Sequence, residues 1–299
     1  MDVVITYVDG NDPAWQRDYE KYADVPVLQK RFRDWGTLKY LLRGIQQNMP
    51  FVENVYLVVS HPSQVPEWAG EQLRIVLHKD IIPEEYLPTF NSTTIEMFLH
   101  RIEGLSEEFI YFNDDIFPIE PCRAEDFFRD GMAVIGMARH IFYSSMYKKH
   151  VRRSDRMARQ ALGLKPRMHF LRGQHSCIPL LRSQCAEAFE KQREGVLATL
   201  SRVRNDGNIN MTFFLSYMFH KSLLINERLS CGHLSLALAS ESKLIKSIST
   251  PRRKLLCIND VKLSEASYTT YRDLIIRLFE QRFPGKSRFE KSCKNHRSQ

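Results

Sequence analysis

Asp114 and Asp115 are adjacent carboxylates, and they are the residues of this chain whose types and spacing best suit chemistry. They follow residues 109–112, a short aromatic and β-branched run that is typical of a buried strand in a mostly parallel sheet. Neighbouring carboxylates at the end of a buried strand are costly unless a cation or another ligand lies on them. Ligands of open α/β sheets bind beyond the carboxyl ends of the strands, so we expect a metal, a sugar or a phosphate here. A simple turn is the alternative, because Asn-Asp-Asp also favours turns.

A second polar loop follows the first strand of the chain. Residues 2–8 predict a strand, which ends in the loop Asp9-Gly-Asn-Asp-Pro13. A loop of this kind at the start of an α/β chain is a common place for a nucleotide, and a purely structural turn is the alternative. Neither the GxGxxG nor the GxxxxGK[ST] pattern occurs, so the loop is not a glycine-rich phosphate loop.

Two histidines and a basic stretch complete the candidates. His169 and His175 lie close together, although a single histidine is more often structural than catalytic. Residues 139–172 contain ten Lys and Arg against one acid, a net charge of +9 in a chain of net charge +8. The stretch predicts a mobile lid or a surface for an anionic partner, and a solvated face is the alternative.

The elements that must position these residues alternate between strands and helices. Strands are predicted over 55–59 and 73–77, and Leu38, Leu41 and Ile45 lie on one apolar face of a helix over 37–47. This succession predicts an α/β fold with a mostly parallel sheet and flanking helices. Further elements are predicted as helices over 94–101, 186–200 and 267–283, a helix up to His220, and strands over 132–137 and 255–258.

We predict one domain over residues 1–299. It comprises an α/β core of about 1–138, a basic insertion of about 139–172, a more helical part of about 173–290, and a basic tail over 286–299 that is expected to fray.

Composition excludes several classes of protein. Hydrophobic residues make up 43% and charged residues 26% of the chain, as in globular proteins, and no apolar run approaches the roughly 20 residues of a membrane helix. The chain begins directly in a strand-like pattern, so we expect a cytoplasmic protein, with peripheral association at the inner face of the membrane as a further option. Six cysteines without a CxxC pair indicate neither a zinc site nor a disulfide framework. No nucleic-acid motif occurs, and a nucleic-acid partner is not expected.

The blocks of the sequence resemble the Stealth family of hexose-1-phosphate transferases, which make bacterial capsular polysaccharides. The family also includes the eukaryotic N-acetylglucosamine-1-phosphotransferase. The resemblance spans residues 2 to about 290, and the basic stretch 139–172 matches none of its blocks. The matching blocks are Asp2-Val-Val-Ile-Thr-Tyr-Val-Asp-Gly-Asn-Asp12, Arg31-Phe-Arg-Asp34 through Leu38, Leu87-Pro-Thr-Phe-Asn-Ser92, Ile95-Glu96, Leu99 to Ser106, Phe109-Ile-Tyr-Phe-Asn-Asp-Asp115, His175-Ser-Cys-Ile-Pro179, Arg202-Val-Arg204 and Cys257-Ile-Asn-Asp260.

The resemblance implies a glycosyltransferase-A-like core, a UDP-sugar donor and a growing anionic polysaccharide as acceptor. A sugar-1-phosphate would be transferred to a hydroxyl group with release of UMP, and Mg²⁺ is the expected cofactor. A glycosyltransferase of the same fold that releases UDP is the runner-up. A non-enzymatic polyanion-binding protein is the third possibility.

The family pattern also implies roles for individual residues. His175 is the expected base, Arg204 the phosphate clamp, and Glu96 a residue that binds sugar hydroxyls or orients a neighbour. Asp115, with Asp114, is expected to hold Mg²⁺ or sugar hydroxyls. The remaining expected contacts to substrate and nucleotide are Asp2, Asp9, Asn11, Arg31, Arg33, Asp34, Asn113, Asn259 and Asp260.

Overall fold

The computed structural model of the chain describes residues 1–23, 25–27, 32–259 and 263–292. The strands in these ranges are β1 (Asp2–Thr6), β2 (Val55–Val59), β3 (Leu73–Leu77), β4 (Glu108–Asn113), β5 (Ile116–Pro118), β6 (Phe128–Arg129), β7 (Met132–Val134), β8 (Met137–His140), β9 (Phe170–Gly173), β10 (Ile178–Leu181), β11 (Leu224–Ile225), β12 (Cys231–Ser235) and β13 (Leu255–Asn259). The helices are α1 (Pro13–Tyr22), α2 (Leu38–Asn48), α3 (His78–Ile81), α4 (Ser92–Glu96), α5 (Met146–Ala161), α6 (Arg182–Lys191), α7 (Arg193–Leu197), α8 (Thr212–His220), α9 (Glu241–Ser249) and α10 (Glu265–Arg282).

The central sheet has five strands in the order β10-β4-β1-β2-β3. Strands β1 to β4 are parallel, and β10 runs antiparallel to β4 at one edge. Every residue of β2 is buried, which explains its continuous apolar run, because a parallel sheet is covered on both faces. The predicted α/β class with a mostly parallel sheet is therefore confirmed.

Strand register brings the polar ends of β1 and β4 together. Thr6 at the end of β1 pairs with Asn113 at the end of β4. The residues after Asn113 turn sharply into β5, which pairs antiparallel with β13. The backbone N–H of Ile258 donates to the carbonyl of Asp115 at 2.9 Å. A strand from the distant C-terminal part of the chain therefore ends beside the two carboxylates.

The basic stretch contains an ordered helix, α5, which packs against α8. Its weak apolar periodicity in the sequence arises because the buried face carries polar residues, among them Ser154, Asp155 and Arg159. Arg159 donates to the Asp155 carboxylate at 3.2 Å, which compensates the burial of both charges. The basic stretch therefore contains a helix packed on the fold, and whether it moves as a lid stays a prediction.

Local boundaries depart from the predicted ones where a segment is buried on all sides. The helices over 37–47 and 267–283 are confirmed as α2 and α10. The helix predicted over 94–101 ends at Glu96, and a short 3₁₀ turn follows at Leu99–Arg101. Residues 93–100 are all buried, so tertiary packing rather than one apolar stripe sets their path. The helix predicted over 186–200 is divided into α6 and α7, and the strand over 132–137 into β7 and β8.

The described part of the basic tail is packed rather than frayed. Arg43 forms a bidentate ion pair with Glu290, the Nη2–Oε2 distance being 2.7 Å. The Gly70 N–H donates to the Phe289 carbonyl at 2.7 Å. The expectation of a frayed tail was therefore wrong for residues 286–292, and 293–299 lie outside the described residues. In the part of the chain that is described, no helix has the length and apolar character needed to cross a membrane.

Candidate active site

A cavity of about 430 Å³ opens at the carboxyl ends of β1 and β4. It is lined by Tyr7 after β1, by Asn113 at the end of β4, by Asp114 and Asp115 in the turn that follows, and by Asn259 at the end of β13. This is the position at which ligands bind in open α/β sheets. The structure brings the two carboxylates of the sequence hypothesis to this cavity.

A row of polar side chains joins the cavity to His175. The Cys257 Sγ lies 3.6 Å from Asp115 Oδ2 and 3.5 Å from His175 Nε2, and His175 Nε2 is 3.3 Å from Asn259 Oδ1. Burial, with a further contribution from Asp115, raises the pKa of the Cys257 thiol, which is therefore protonated at neutral pH. Asp115 and Asn259 line the cavity. His175 contacts Asn259 directly and is joined to Asp115 through Cys257.

A second imidazole lies against His175. The rings of His175 and His233 stack with their centroids 5.4 Å apart and an angle of 17° between the planes. Burial lowers the pKa of His233, and the neighbouring His175 and Arg228 lower it further. His233 therefore favours its neutral form.

Arg204 lies on another wall of the cavity, and the buried Glu96 lies close enough to be affected by its charge. Arg204 lines the cavity, and its Nη2 donates to the Ser92 hydroxyl. The buried Glu96 carboxylate accepts from the Met211 N–H at 3.1 Å. Burial raises the pKa of Glu96 to about 7, and the positive charge of Arg204 opposes that rise. Glu96 therefore lies near Arg204 but does not itself line the cavity in the described structure.

Arg33 brings a buried cationic donor to the cavity wall. Its Nη2 donates to Glu265 at 3.2 Å, its guanidinium lies 4.2 Å from the centre of the Tyr268 ring, and its side chain is 8% exposed. Its Nη1 is buried and has no hydrogen-bond partner among the described residues. A buried donor without a partner is costly, and the Arg33 side chain to which it belongs lines the cavity, where its guanidinium can meet an anionic ligand.

Several acidic residues lie around Tyr7, which also lines the cavity. Burial raises the pKa of Tyr7, and Asp34, Asp9 and Asp114 raise it further in that order. The pKa of Asp34 is raised by burial and by Asp9, against the lowering effects of the Gly36 N–H and of Tyr7. These shifts indicate several carboxylates close together, a field that a cation would relieve.

Three of the predicted contacts that the structure describes, Asp2, Asp9 and Asn11, do not line the cavity. Asp2 lies at the opposite end of β1, and its buried carboxylate accepts from Asn54 and from the Ser106 N–H at 2.8 Å. Asn11 is exposed, and its N–H donates to the Asp9 carboxylate at 2.8 Å, so the loop there is also a structural turn. Arg31 and Asp260 lie outside the described residues.

His169 lies at a different place from His175. It lines a separate cavity, together with Arg139, Arg167 and His220. The two candidate histidines are therefore distinguished by the fold rather than by their spacing in the chain.

Two features of the cavity were not predicted. One is an aromatic wall: the Trp15 ring lies 4.7 Å from Phe32 and 5.6 Å from Phe90 between centroids, and all three line the cavity. The other is His78 at the end of β3, whose pKa burial lowers to about 4, so that it is neutral. The position of His78 directly after a predicted strand was a usable signal, whereas nothing in the sequence brings three separate aromatic residues together.

The oxygen donors at the cavity fit Mg²⁺. Carboxylate and amide oxygens are hard ligands of the kind Mg²⁺ prefers, and Asp114, Asp115, Asn113 and Asn259 supply them. The adjacent group of His175, His233 and Cys257, whose ligand atoms lie within 4.8 Å of one another, is a softer set.

Curated relatives define the class of this protein. The chain is 31% identical to the receptor polysaccharide phosphotransferase WefC of Streptococcus oralis, over 97% of this chain and 99% of the relative. It is 29% identical to the capsular polysaccharide phosphotransferase WcwK of Streptococcus pneumoniae, with the same shares covered. An exopolysaccharide phosphotransferase of Lactiplantibacillus plantarum, cps2G, is 28% identical over 97% of this chain and 96% of the relative. The protein is therefore a transferase of the phosphotransferase class.

The family follows from a region match together with these relatives. Residues 31–135 match the region described as Stealth protein CR2, conserved region 2. With a relative above 30% identity aligned along nearly the whole chain, the protein belongs to the Stealth family. This confirms the resemblance found in the sequence.

Among solved structures, the chain is similar to a crystal structure of the galactosyltransferase LgtC in complex with donor and acceptor sugar analogues. The TM-score is 0.45 at 10% identity, over 94% of this chain and 96% of that one. The mouse xyloside xylosyltransferase 1 aligns with a TM-score of 0.37 at 14% identity, over 86% of this chain and 96% of that one.

Proposed function

We propose that this protein transfers a sugar-1-phosphate from a UDP-sugar to a hydroxyl group of a growing capsular or cell-surface polysaccharide. N-acetylglucosamine-1-phosphate, or a related hexose-1-phosphate, is the transferred group. The observation that carries the proposal is the cavity at the ends of β1 and β4, where paired carboxylates meet two arginines, one with a buried unpaired donor. The relatives named as polysaccharide phosphotransferases support the same class of reaction.

The reaction forms one phosphorus–oxygen bond and breaks another. The acceptor oxygen attacks the phosphorus atom next to the sugar, and the bridging oxygen to the second phosphate leaves with UMP. The anomeric bond of the sugar stays intact, and the product is a phosphodiester. The acceptor proton passes to a base, and UMP departs with the electron pair of the broken bond.

Each step has a residue suited to it. His175 accepts the proton of the acceptor hydroxyl, a role supported by its contacts with Asn259, which lines the cavity, and with Cys257. Arg204 and Arg33 bind the phosphates, since a guanidinium can donate two parallel hydrogen bonds to a phosphate. Glu96 orients Arg204. The aromatic wall around Trp15 offers a face for the uracil ring, with Asp9 and Asp34 near the ribose.

A bound Mg²⁺ supplies charge neutralisation for the diphosphate. Asp114 and Asp115 would hold it, with Asn113 and Asn259 as further oxygen donors. The carboxylates of Asp114 and Asp115 also orient the sugar hydroxyls of the donor.

The released nucleotide tests the proposal. The protein is incubated with several UDP-sugars and an acceptor oligosaccharide, and the products are separated by chromatography. Release of UMP with a phosphodiester-linked product is expected, whereas UDP would identify the conventional glycosyltransferase. Asp115→Asn is expected to abolish release at an unchanged melting temperature. Unchanged turnover in that variant would contradict the assignment of Asp115, and no nucleotide release from any donor would favour a polyanion-binding protein.

We place this activity in the cytoplasm at the inner face of the membrane. UDP-sugar donors and a growing anionic polymer are the partners.

A further inference from the structure

Residues 141–147, which precede and begin α5, form an exposed apolar tip. Phe142 is 80% exposed and Ile141 55%, and Tyr143, Met146 and Tyr147 are also exposed. Exposed apolar side chains that cluster in this way mark surfaces that contact another body. Within the described residues, the Tyr143 ring contacts Phe170 and the Tyr147 ring contacts Arg172, whereas Ile141 and Phe142 remain mostly exposed.

A basic face continues directly from this tip. The helix α5 packs one side on α8 through residues such as Val151 and Ala158. Its outer side carries Lys148, Arg152, Arg153 and Arg156, which no carboxylate of the described residues pairs in an ion pair. The guanidinium of Arg152 lies 4.0 Å from the centre of the Tyr143 ring. The apolar tip and the basic face are therefore one continuous surface.

This surface is rigidly joined to the candidate active site. His150 Nε2 lies 2.6 Å from the Asn205 carbonyl, and Lys149 forms an ion pair with Asp206. Both partners lie within two residues of Arg204, which lines the cavity. A binding partner that docks on the tip is therefore held close to the cavity.

We propose that the apolar tip and the basic face of α5 dock on an anionic phospholipid bilayer. Aromatic and aliphatic side chains enter the interface between headgroups and acyl chains, and the basic side chains contact the anionic headgroups. An anionic polysaccharide would account for the charge, but not for exposed Ile141 and Phe142. A second copy of the chain is disfavoured, because two copies of this surface, each with Lys148, Arg152, Arg153 and Arg156, would repel each other. An acceptor held at the bilayer would then reach the cavity, a consequence that rests on the proposed function.

Co-sedimentation of the whole protein with lipid vesicles tests the proposal. One set of vesicles is phosphatidylcholine alone, and the other contains about one third phosphatidylglycerol. Binding to the second set only, weakening as salt is raised, is expected. Phe142→Ser should weaken it by at least tenfold. Replacing Lys148, Arg152, Arg153 and Arg156 with Ser should weaken it more, at roughly fivefold per charge.

Matched variants on α9 and beside it provide the controls. Leu238→Ser removes an apolar side chain that is 84% exposed. A second control removes four exposed charges by replacing with Ser the residues Lys243, Lys246, Arg252 and Arg253. These controls are expected to bind vesicles as the wild type does. Nucleotide release with a short soluble acceptor is measured on every variant, and Phe142→Ser should leave it unchanged, so that a failure of the proposed function appears separately.

Three outcomes would overturn the proposal. Equal binding to both kinds of vesicle, or none, contradicts an anionic bilayer. Loss of binding in the charge variant with full binding in Phe142→Ser, together with competition by a soluble anionic polysaccharide, identifies a polymer site instead. A fall in molecular mass of Phe142→Ser in solution identifies the tip as a contact between two copies.

Discussion

His175 and His169 lie six residues apart in the chain but at different places in the fold. His175 contacts Cys257 and Asn259 at the edge of the candidate active site, whereas His169 lines a separate cavity beside α5. An acceptor hydroxyl has a pKa far above 7, and a histidine has the basicity to accept its proton near neutrality.

We therefore expect His175→Ala to lower turnover by roughly 10²- to 10⁴-fold, the usual contribution of a general base. Donor affinity should change little, because the proton transfer occurs in the transition state. Steady-state kinetics and UDP titrations on the same preparations measure the two effects. His169→Ala is the matched control and should be much milder, and the opposite ranking would identify His169 as the base.

Glu96 makes stability depend on pH. Its pKa is raised from 4.5 to about 7 in the folded protein, chiefly by burial. The folded state therefore binds the proton more tightly than the unfolded state. The stabilisation is complete below about pH 4.5 and is lost as pH rises through 7, a total of about 3 kcal/mol.

The variant Glu96→Gln should remove this dependence. Urea unfolding gives the free energy of unfolding at pH 5 and at pH 8. The decrease in this free energy from pH 5 to pH 8 should be smaller by about 2.5 kcal/mol in the variant. Glu85→Gln, at an exposed carboxylate, should keep the slope of the wild type. The same slope in wild type and Glu96→Gln would show that the carboxyl group titrates normally.

At the scale of elements, one glycine sets the distance between two parts of the site. The Gly10 N–H donates to the Phe32 carbonyl at 2.7 Å. A Cβ atom on Gly10 would lie 2.5 Å from that oxygen and 2.8 Å from the Phe32 Cβ. The loop after β1 can approach the segment that carries Arg33 and Asp34 only because residue 10 has no side chain.

Gly10→Ala should therefore push this segment away from the cavity. We expect roughly tenfold weaker binding of UDP, about 1.4 kcal/mol, with a smaller effect on turnover at saturating donor. Isothermal titration with UDP measures the first effect. Gly285→Ala, where apart from the two chain neighbours no atom of the described chain lies within 4 Å of the added Cβ, should bind as the wild type does. Equal affinities in both variants would remove Gly10 from the donor site.

Elements with a one-sided or continuous apolar pattern could be predicted from the sequence, and others could not. The strands over 55–59 and 73–77 agree with their predicted bounds. The first is covered on both faces and apolar throughout, whereas the second is an edge strand whose run of apolar residues is interrupted only by the exposed Arg74. The helix α5 escaped prediction because Ser154 and Asp155 occupy its buried face. The break after Glu96 escaped it because the segment is buried on all sides, so no face is distinguished.

At the scale of the whole molecule, the candidate site is assembled from parts that are far apart in the chain. Asp34, Asp115, Arg204 and Asn259 all line one cavity. The sequence could indicate Asp115 by its place after a strand, and the family resemblance indicated the others. It could not indicate that β13 pairs with β5, or that Arg33 Nη1 would be buried without a partner, since both depend on long-range packing. Asp2 looked equivalent to the rest, but strand direction puts it at the other end of the sheet.

The summed charge of this assembled cavity leads to the last prediction, which concerns a divalent cation. Asp9, Asp34 and Asp114 together raise the pKa of Tyr7, so several carboxylates share one region. A cation that binds only the folded state stabilises it by mass action, by about 2.7 kcal/mol at a concentration 100 times Kd. Mg²⁺ in the presence of UDP should therefore raise the melting temperature by roughly 5 °C.

Three comparisons decide whether the acidic residues are responsible. Chelation should reverse the rise and abolish nucleotide release, and added Mg²⁺ should restore both. Asp114→Asn and Asp115→Asn should lose the Mg²⁺-dependent rise while folding normally without metal, whereas the exposed Asp273→Asn should retain it. Full turnover after exhaustive chelation would mean that Arg33 and Arg204 neutralise the diphosphate without a metal, because they are the cationic side chains that line the described cavity.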